Sequence, residues 1–289
     1  MQIVTDTGMD MYLPPELMPD LEIHVVPMTI TLDGKSYQSG KDIQAAELQE
    51  LLLKTHSFPI TSQPSAGDLA GIYRKLAASD PDILSIQMSS GLSGTVNAAK
   101  AGSEMVPEAH VTVLDTKTLC AALGWQVAAA ARALKDGWSR ERILALIQRI
   151  GAATESMYTL DDLKYLIHGG RISHMKGLIA SLLHIRPLIR VEKVGGTYAQ
   201  MGVGRTFDKA LQGLVELMQK YQAPGTALRI QVLHSYNPEG AARLVELIDP
   251  VFKCTWMPVM YMSPALAAHT GPSMVGVAFA PQAVFDDLP

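Results

Sequence analysis

The stretch DILSIQMSSGLSGTVNAA, residues 82–99, decides the fold. Residues 83–88 form a short apolar run, which is typical of a buried strand. A loop rich in serine and glycine follows at residues 89–95, and a helical pattern begins at Val96. Glycine backbone and the N–H groups of a helix's first turn can approach an anion closely, so this layout predicts an anion site beyond the carboxyl end of a strand. A plain turn between strand and helix, with Ser93 as N-cap, explains the same residues equally well.

Composition excludes several classes of protein. The chain has 289 residues, 48% of them hydrophobic, which is enough for two domains with a sizeable core. A net charge of −4 gives no basic surface for nucleic acid. The two cysteines, Cys120 and Cys254, match no metal or redox spacing, and no apolar run is long enough for a bilayer. The chain opens on a strand-like IVTD, so we expect no signal peptide and a cytoplasmic location.

Strand and helix patterns alternate through the first half, which predicts an α/β domain with a mostly parallel sheet over residues 1–155. Asp33-Gly34 predicts a β-hairpin turn. The predicted helices and their caps are residues 43–54 capped by Asp42, 69–78 with a capping box of Ser65 and Asp68, 119–134 ending at Gly137, and 140–150 capped by Ser139.

The pattern changes near Gly151, and residues 156–289 are predicted to form a second α/β domain with a mixed sheet. Predicted strands are residues 156–159, 187–191, 197–203, 228–234, 255–261 and 275–280. Predicted helices are residues 160–167, 176–184, 207–221 and 240–248, and residues 269–272 are predicted to turn. No linker of low complexity separates the halves, so we expect them to pack closely.

Several motifs stand in order along the whole chain. They are IVTDTG at residues 3–8, TSQPS at 61–65, SSGLSGT at 89–95, LKYLIHGGRIS at 163–173, VGRT at 203–206 and HTGP at 269–272. Their order and spacing resemble the DegV family, which comprises bacterial fatty-acid-binding proteins. The best understood members are the acyl-carrying subunits of bacterial fatty acid kinase.

This resemblance implies a site between two α/β domains for a long-chain fatty acid, with no other cofactor. Hydroxyl and backbone N–H groups of Thr61, Ser62, Ser93 and Gly94 would hold the carboxylate, and His269 would lie near it. The tail would enter an apolar tunnel.

The resemblance also implies a partner. Arg171 and Arg205 match family arginines near the head group, where an ATP-binding kinase subunit docks and phosphorylates the carboxylate. The chain itself would be no enzyme, would serve phospholipid metabolism and would touch a membrane surface transiently. The chain departs from the family pattern at Ser273 and at His174-Met175-Lys176, which bears on the ligand chain and the partner surface.

Each of these residues also has a purely structural interpretation. His269 could be a satisfied core histidine, although a position beside a Gly-Pro turn favours a cleft. Arg171, which follows two glycines, could stand clear of the packed surface and make a C-cap contact. Asp6 and Asp115 each end a strand and are expected to cap the next turn. The apolar stripe of Leu178, Ile179, Leu182 and Leu183 lines the tunnel or is ordinary core.

An enzyme is the alternative from a different class. A lipid or ester hydrolase could use Ser93 as nucleophile and His269 as base, with an aspartate. Gly91-Leu92-Ser93-Gly94-Thr95 is not the G-x-S-x-G elbow of such enzymes, however. The sequence has no P-loop, no G-x-G-x-x-G after a strand and no metal-ligand spacing among its histidines, so we expect no nucleotide and no metal.

Overall fold

The structure is a computed structural model that describes residues 1–10, 21–55, 57–172 and 185–288. The strands are β1 (Gln2–Asp6), β2 (Ile23–Val26), β3 (Thr29–Leu32), β4 (Lys35–Gln38), β5 (Ile60–Ser62), β6 (Asp82–Gln87), β7 (His110–Asp115), β8 (Glu155–Thr159), β9 (Arg186–Val191), β10 (Tyr198–Gly204), β11 (Ala227–His234), β12 (Lys253–Trp256), β13 (Met260–Tyr261) and β14 (Val275–Pro281). The helices are α1 (Ala45–Lys54), α2 (Ala66–Ala77), α3 (Thr95–Glu104), α4 (Cys120–Lys135), α5 (Arg140–Ala153), α6 (Lys164–His168), α7 (Phe207–Tyr221), α8 (Pro238–Ile248) and α9 (Pro264–Thr270). The predicted helix at residues 176–184, its apolar stripe and the departure at residues 174–176 lie outside the described residues.

The first sheet is parallel throughout, with strand order β2-β1-β6-β7. Its central strands are buried on both faces, as their unbroken apolar runs require. Val4 and Ile83 pack under α2 and α3, whereas Ile3 and Leu84 face the core that contains α4. The predicted parallel sheet is therefore confirmed.

A small antiparallel sheet of order β4-β3-β5 lies beside the first one. Asp33 and Gly34 both have positive φ angles, of 50° and 76°, which gives the predicted hairpin turn between β3 and β4. The short helix α9 from the other end of the chain packs against β3 and β5. Residues distant in sequence are thereby brought beside the TSQPS motif.

The second sheet is mixed, with order β10-β9-β8-β14-β11-β12 and with β13 also paired to β11. The pairs of β11 with β12 and β13 are parallel and the others antiparallel. One face carries the core under α7 and α8. Helices α4 and α5 contact β14, and Trp125 Nε1 on α4 donates to Gln231 Oε1 on β11 at 2.8 Å. The two halves thus pack closely, as expected.

Local boundaries differ from the prediction at several places. The N-cap of α1 is Gln44, in a capping box with Glu47, and Asp42 instead accepts a hydrogen bond from the backbone N–H of Gln38. Residues 255–261 form two short strands, and the helix predicted at 160–167 begins only at Lys164. The predicted caps Ser65 and Ser139 are confirmed.

Candidate functional site

A small cavity with both polar and apolar lining residues lies where the two halves meet. Its volume is about 20 Å³, room for one water-sized group. Its lining comprises Met28, Thr61, Gln63, Met88, Leu92, Ser93, Leu119, Arg171, Tyr198, Ala265, Leu266 and His269. These residues come from seven separate segments of the sequence, so the cavity exists only in the folded chain. We call it the head-group cavity.

Buried carboxyl groups hold the loops around this cavity. Asp6 accepts hydrogen bonds from the backbone N–H groups of Gly8 (2.7 Å) and Met88 (2.8 Å), which confirms its predicted capping role. Burial nevertheless raises its pKa to about 6. Asp10 accepts from the backbone N–H of Ser263 at 2.6 Å, and burial raises its pKa to about 7. Asp6 thereby fixes the backbone at Met88, which lines the head-group cavity, and Asp10 fixes the backbone that leads into α9.

The serine-rich loop at residues 89–95 is fixed from two sides. Asp115 Oδ1 accepts from the backbone N–H groups of Ser90 (3.1 Å) and Lys117 (3.2 Å), as its predicted capping role requires. Ser89 Oγ donates to the carbonyl of Gly196 at 2.7 Å, at the tip of the hairpin between β9 and β10. The hairpin of the second sheet therefore positions the loop that follows β6 in the first sheet.

Ser93 lines the cavity just before α3, but it is not the N-cap. The N-cap is Gly94, and Ser93 Oγ lies 2.7 Å from Thr95 Oγ1 and accepts from the Thr95 N–H at 3.3 Å. The first-turn N–H groups of a helix have no partner inside it and carry partial positive charge. Ser93 thus presents its hydroxyl to the cavity at the N-terminus of α3.

The TSQPS motif contributes Thr61 and Gln63 to the lining. Side chains alternate along β5, so Thr61 faces the cavity while Ser62 is exposed and lies outside its lining. Gln63 packs directly on Gly94: a Cβ built on that glycine would lie 2.7 Å from Gln63 Cδ. A side chain at Gly94 would therefore displace the amide of Gln63 from its position. Gln63 was not among the predicted site residues, because only its contact with Gly94 in the folded chain indicates its place at the cavity.

His269 is buried in α9 rather than in a turn, which corrects the prediction. Its Nε2 lies 2.6 Å from Thr61 Oγ1, and its Nδ1 has no hydrogen-bond partner among the described residues. Burial, together with the charge of Arg171, lowers its pKa to about 3, so the ring is neutral at neutral pH. A Cβ on Gly169 would lie 3.0 Å from His269 Cε1, which explains the first glycine of the GGRI motif.

Arg171 is the cation of the head-group cavity. The side chain is half-buried, with Nη1 donating to the carbonyl of Gly169 (2.6 Å) and Nε to that of Leu92 (3.3 Å). The expectation that Arg171 stands clear of the packed surface is therefore wrong. Burial lowers the pKa of Arg171, but the ordinary pKa of a guanidinium is so high that the group stays charged. Arg205 is exposed beyond the far end of β10, roughly 20 Å along that strand from Tyr198, and does not line the cavity.

The donors that line this cavity have the chemistry that suits an anion. Hydroxyls, a helix N-terminus and a guanidinium all donate, and the neutral imidazole can orient one of the hydroxyls. No hydrogen bond joins Ser93 to His269 in the described part of the chain, since each pairs with a threonine. The arrangement of a serine nucleophile and its base is therefore unsupported. In the described ranges, no helix is both long and apolar enough to cross a membrane.

Comparison with known proteins gives consistent matches over almost the full length. The sequence profile described as "uncharacterised protein, DegV family" matches residues 1–282. A DegV domain-containing protein of Deinococcus radiodurans is 33% identical over 281 residues, covering 97% of this chain and 96% of that protein.

Solved structures agree in fold. A DegV family protein from Thermus thermophilus, described as binding fatty acid, superposes with a TM-score of 0.86 at 28% identity, covering 97% of this chain and 99% of that one. DegV of Bacillus subtilis, described as a fatty acid binding protein, gives a TM-score of 0.84 at 27% identity over 97% and 99% of the two chains.

Proposed function

This chain belongs to the DegV family, and from that premise we propose that it binds a long-chain fatty acid with the carboxylate in the head-group cavity. The observation that carries the proposal is the convergence of Thr61, Ser93, His269 and Arg171 from separate segments on one cavity. Family membership supplies the ligand class, since the two structural relatives named above are described as binding fatty acid.

Within this proposal, each group has a distinct role. Thr61 and Ser93 donate their hydroxyl protons to the carboxylate oxygens, and the first-turn N–H groups of α3, which begins after Gly94, share the negative charge. His269 is a positioning residue: with the proton on Nε2 it donates to Thr61 Oγ1 and leaves the threonine proton for the ligand. Arg171 neutralises the charge. Ser62 was expected to help, but its exposed position argues for a minor role.

The free energy explains why both ends of the ligand matter. A saturated tail with about fourteen methylenes contributes roughly 11 kcal/mol at about 0.8 kcal/mol each. Association costs roughly 4–15 kcal/mol, and each charge-assisted hydrogen bond contributes about 1.5–3 kcal/mol. The tail thus supplies the larger share of affinity, and the head group decides whether binding is tight.

The wider role follows from the family resemblance. The chain presents the bound carboxylate to an ATP-binding kinase subunit in the cytoplasm, touches membrane surfaces transiently and has no catalysis of its own. Residues 1–155 and 156–289 act as its two domains. Exposed Arg205 suits a partner contact, whereas half-buried Arg171 suits the head group.

Lipid extraction tests the proposal directly. Protein purified without added lipid, extracted and analysed by mass spectrometry, should yield about one fatty acid per chain. Protein that is empty, and that also fails to bind added palmitate or oleate, would contradict it. A fluorophosphonate probe should leave Ser93 unmodified; a covalent adduct there, with ester hydrolysis lost in Ser93→Ala, would instead establish a hydrolase.

A further inference from the structure

A second and much larger cavity lies behind the segment that supports the serine-rich loop. Its volume is about 680 Å³, within the range of small-molecule sites. It shares no lining residue with the head-group cavity. Its lining comprises Leu114 and Asp115 at the end of β7, residues 116–118 after that strand, Ala122 and Gln126 of α4, Leu144, Ile147, Gln148, Gly151 and Ala152 of α5, and Thr154, Ser156, Val191 and Lys193. We call it the rear cavity.

The interior of the rear cavity is largely apolar. Ala122, Ile147 and Val191 are buried side chains of three different elements that face it, and Leu114 and Leu144 join them. Such a surface favours an apolar body of a ligand, because contact with hydrocarbon replaces contact with water.

One polar group inside the rear cavity has no partner. Ser156 lies on β8, 5% exposed, and its Oγ makes no hydrogen bond within the described structure. Burying a hydroxyl without a partner costs about 1–3 kcal/mol, and most buried polar atoms avoid that cost. A ligand atom that accepts or donates there would remove it.

Two lysine side chains line the same cavity as this hydroxyl. Lys117 Nζ contacts Asp115 Oδ2 (2.8 Å) and Ser90 Oγ (3.0 Å). Lys193 Nζ contacts Glu155 Oε1 (2.7 Å) and the carbonyl of Ala152 (2.5 Å). An ammonium has three protons, so each lysine retains one for a further acceptor. The carboxylates of Asp115 and Glu155 balance the charges of the two ammonium groups, and the remaining N–H proton of each lysine can meet an acceptor on a ligand.

We propose that the rear cavity is a second binding site, for a compact amphipathic anion whose carboxylate, sulfonate or phosphate ester group meets Lys117, Lys193 and Ser156 and whose apolar body lies against α4 and α5. The site does not depend on the proposed fatty-acid function, because it uses none of the same residues.

The test uses 1-anilinonaphthalene-8-sulfonate, a fluorescent amphipathic anion, with full-length protein already loaded with palmitate. We expect one probe to bind per chain with enhanced fluorescence. Lys193→Met should weaken binding about tenfold, the effect of one charge-assisted hydrogen bond. Ala152→Trp, at an exposed rim position, should block the cavity without disturbing the core. Lys220→Met, exposed on α7, serves as the matched control and should bind normally.

Competition identifies the head group. Octanoate and octyl phosphate should displace the probe, and their relative potency distinguishes carboxylate from phosphate ligands, whereas neutral octyl glucoside should not displace it. Equal displacement by octyl glucoside would overturn the anionic assignment. The site itself would be refuted if palmitate-loaded protein bound no probe, or if Lys193→Met and Ala152→Trp both bound it as the parent does.

Discussion

Replacing Thr61 with valine tests the head-group cavity most sharply. Valine keeps the size and the branched Cβ that suit a strand, and it removes only the hydroxyl. That hydroxyl lies 2.6 Å from His269 Nε2 and faces the cavity. If it donates to a bound carboxylate, its loss removes one charge-assisted hydrogen bond, worth about 1.5–3 kcal/mol. The expected loss of affinity for palmitate is therefore roughly ten- to a hundredfold.

The neighbouring residue provides the control. Ser62→Ala removes a hydroxyl from the exposed face of the same strand, so its affinity should stay within about threefold of the parent. Equilibrium binding of radiolabelled palmitate to delipidated protein measures both variants, and circular dichroism confirms that they fold. The reasoning is refuted if Thr61→Val binds normally, or if Ser62→Ala loses as much affinity as Thr61→Val.

Three further changes test the surrounding structure. Gly169→Ala should destabilise the protein by about 1–3 kcal/mol, because the added methyl overlaps the imidazole of His269. Gly67→Ala in α2 has no such overlap and should not destabilise it; equal unfolding midpoints of the two variants would contradict the prediction. Arg171→Ala should lower the free energy of unfolding by about 2 kcal/mol, because two hydrogen bonds to carbonyls are lost. Arg205→Ala, at an exposed position, should lower it by less than about 0.5 kcal/mol, and urea titrations measure both variants. Asp10 has its pKa raised by burial to about 7, so its contribution to stability is full below about pH 4 and declines as pH rises through 7. Asp10→Asn should remove that decline, which amounts to at most about 4 kcal/mol in the free energy of unfolding. If the stabilities of variant and parent change with pH in parallel, the prediction is refuted.

Local patterns were sufficient for most of the architecture. The apolar run at β6 and the Asp33-Gly34 turn depend on side chains close in sequence, and both predictions are confirmed. The third strand of the small sheet was missed, because TSQPS has the composition of a loop. Ile60–Ser62 becomes a strand only by pairing with β3, a tertiary effect that overrides local preference.

The candidate site shows the same division between local and distant information. Thr61 and Ser62 are adjacent hydroxyls, and only the register in which Ser62 pairs with Thr29 decides which one faces the cavity. His269 was expected in a turn because Gly271-Pro272 is a turn signal, and that signal does not reveal the seven-residue helix before it. The packing of Gln63 on Gly94 joins two loops thirty-one residues apart and leaves no local trace.

The small volume of the head-group cavity has a kinetic consequence. At about 20 Å³ it is far smaller than a fatty acid, so the surrounding side chains must separate before a ligand enters or leaves. If the chain binds a fatty acid as proposed, an opening motion limits the rate of release, and the protein rather than the ligand sets that rate. Two additional methylenes strengthen binding by about 1.6 kcal/mol, more than tenfold at equilibrium. Dissociation rates of palmitate and stearate would differ by much less than that, and longer chains would gain affinity mainly through faster capture.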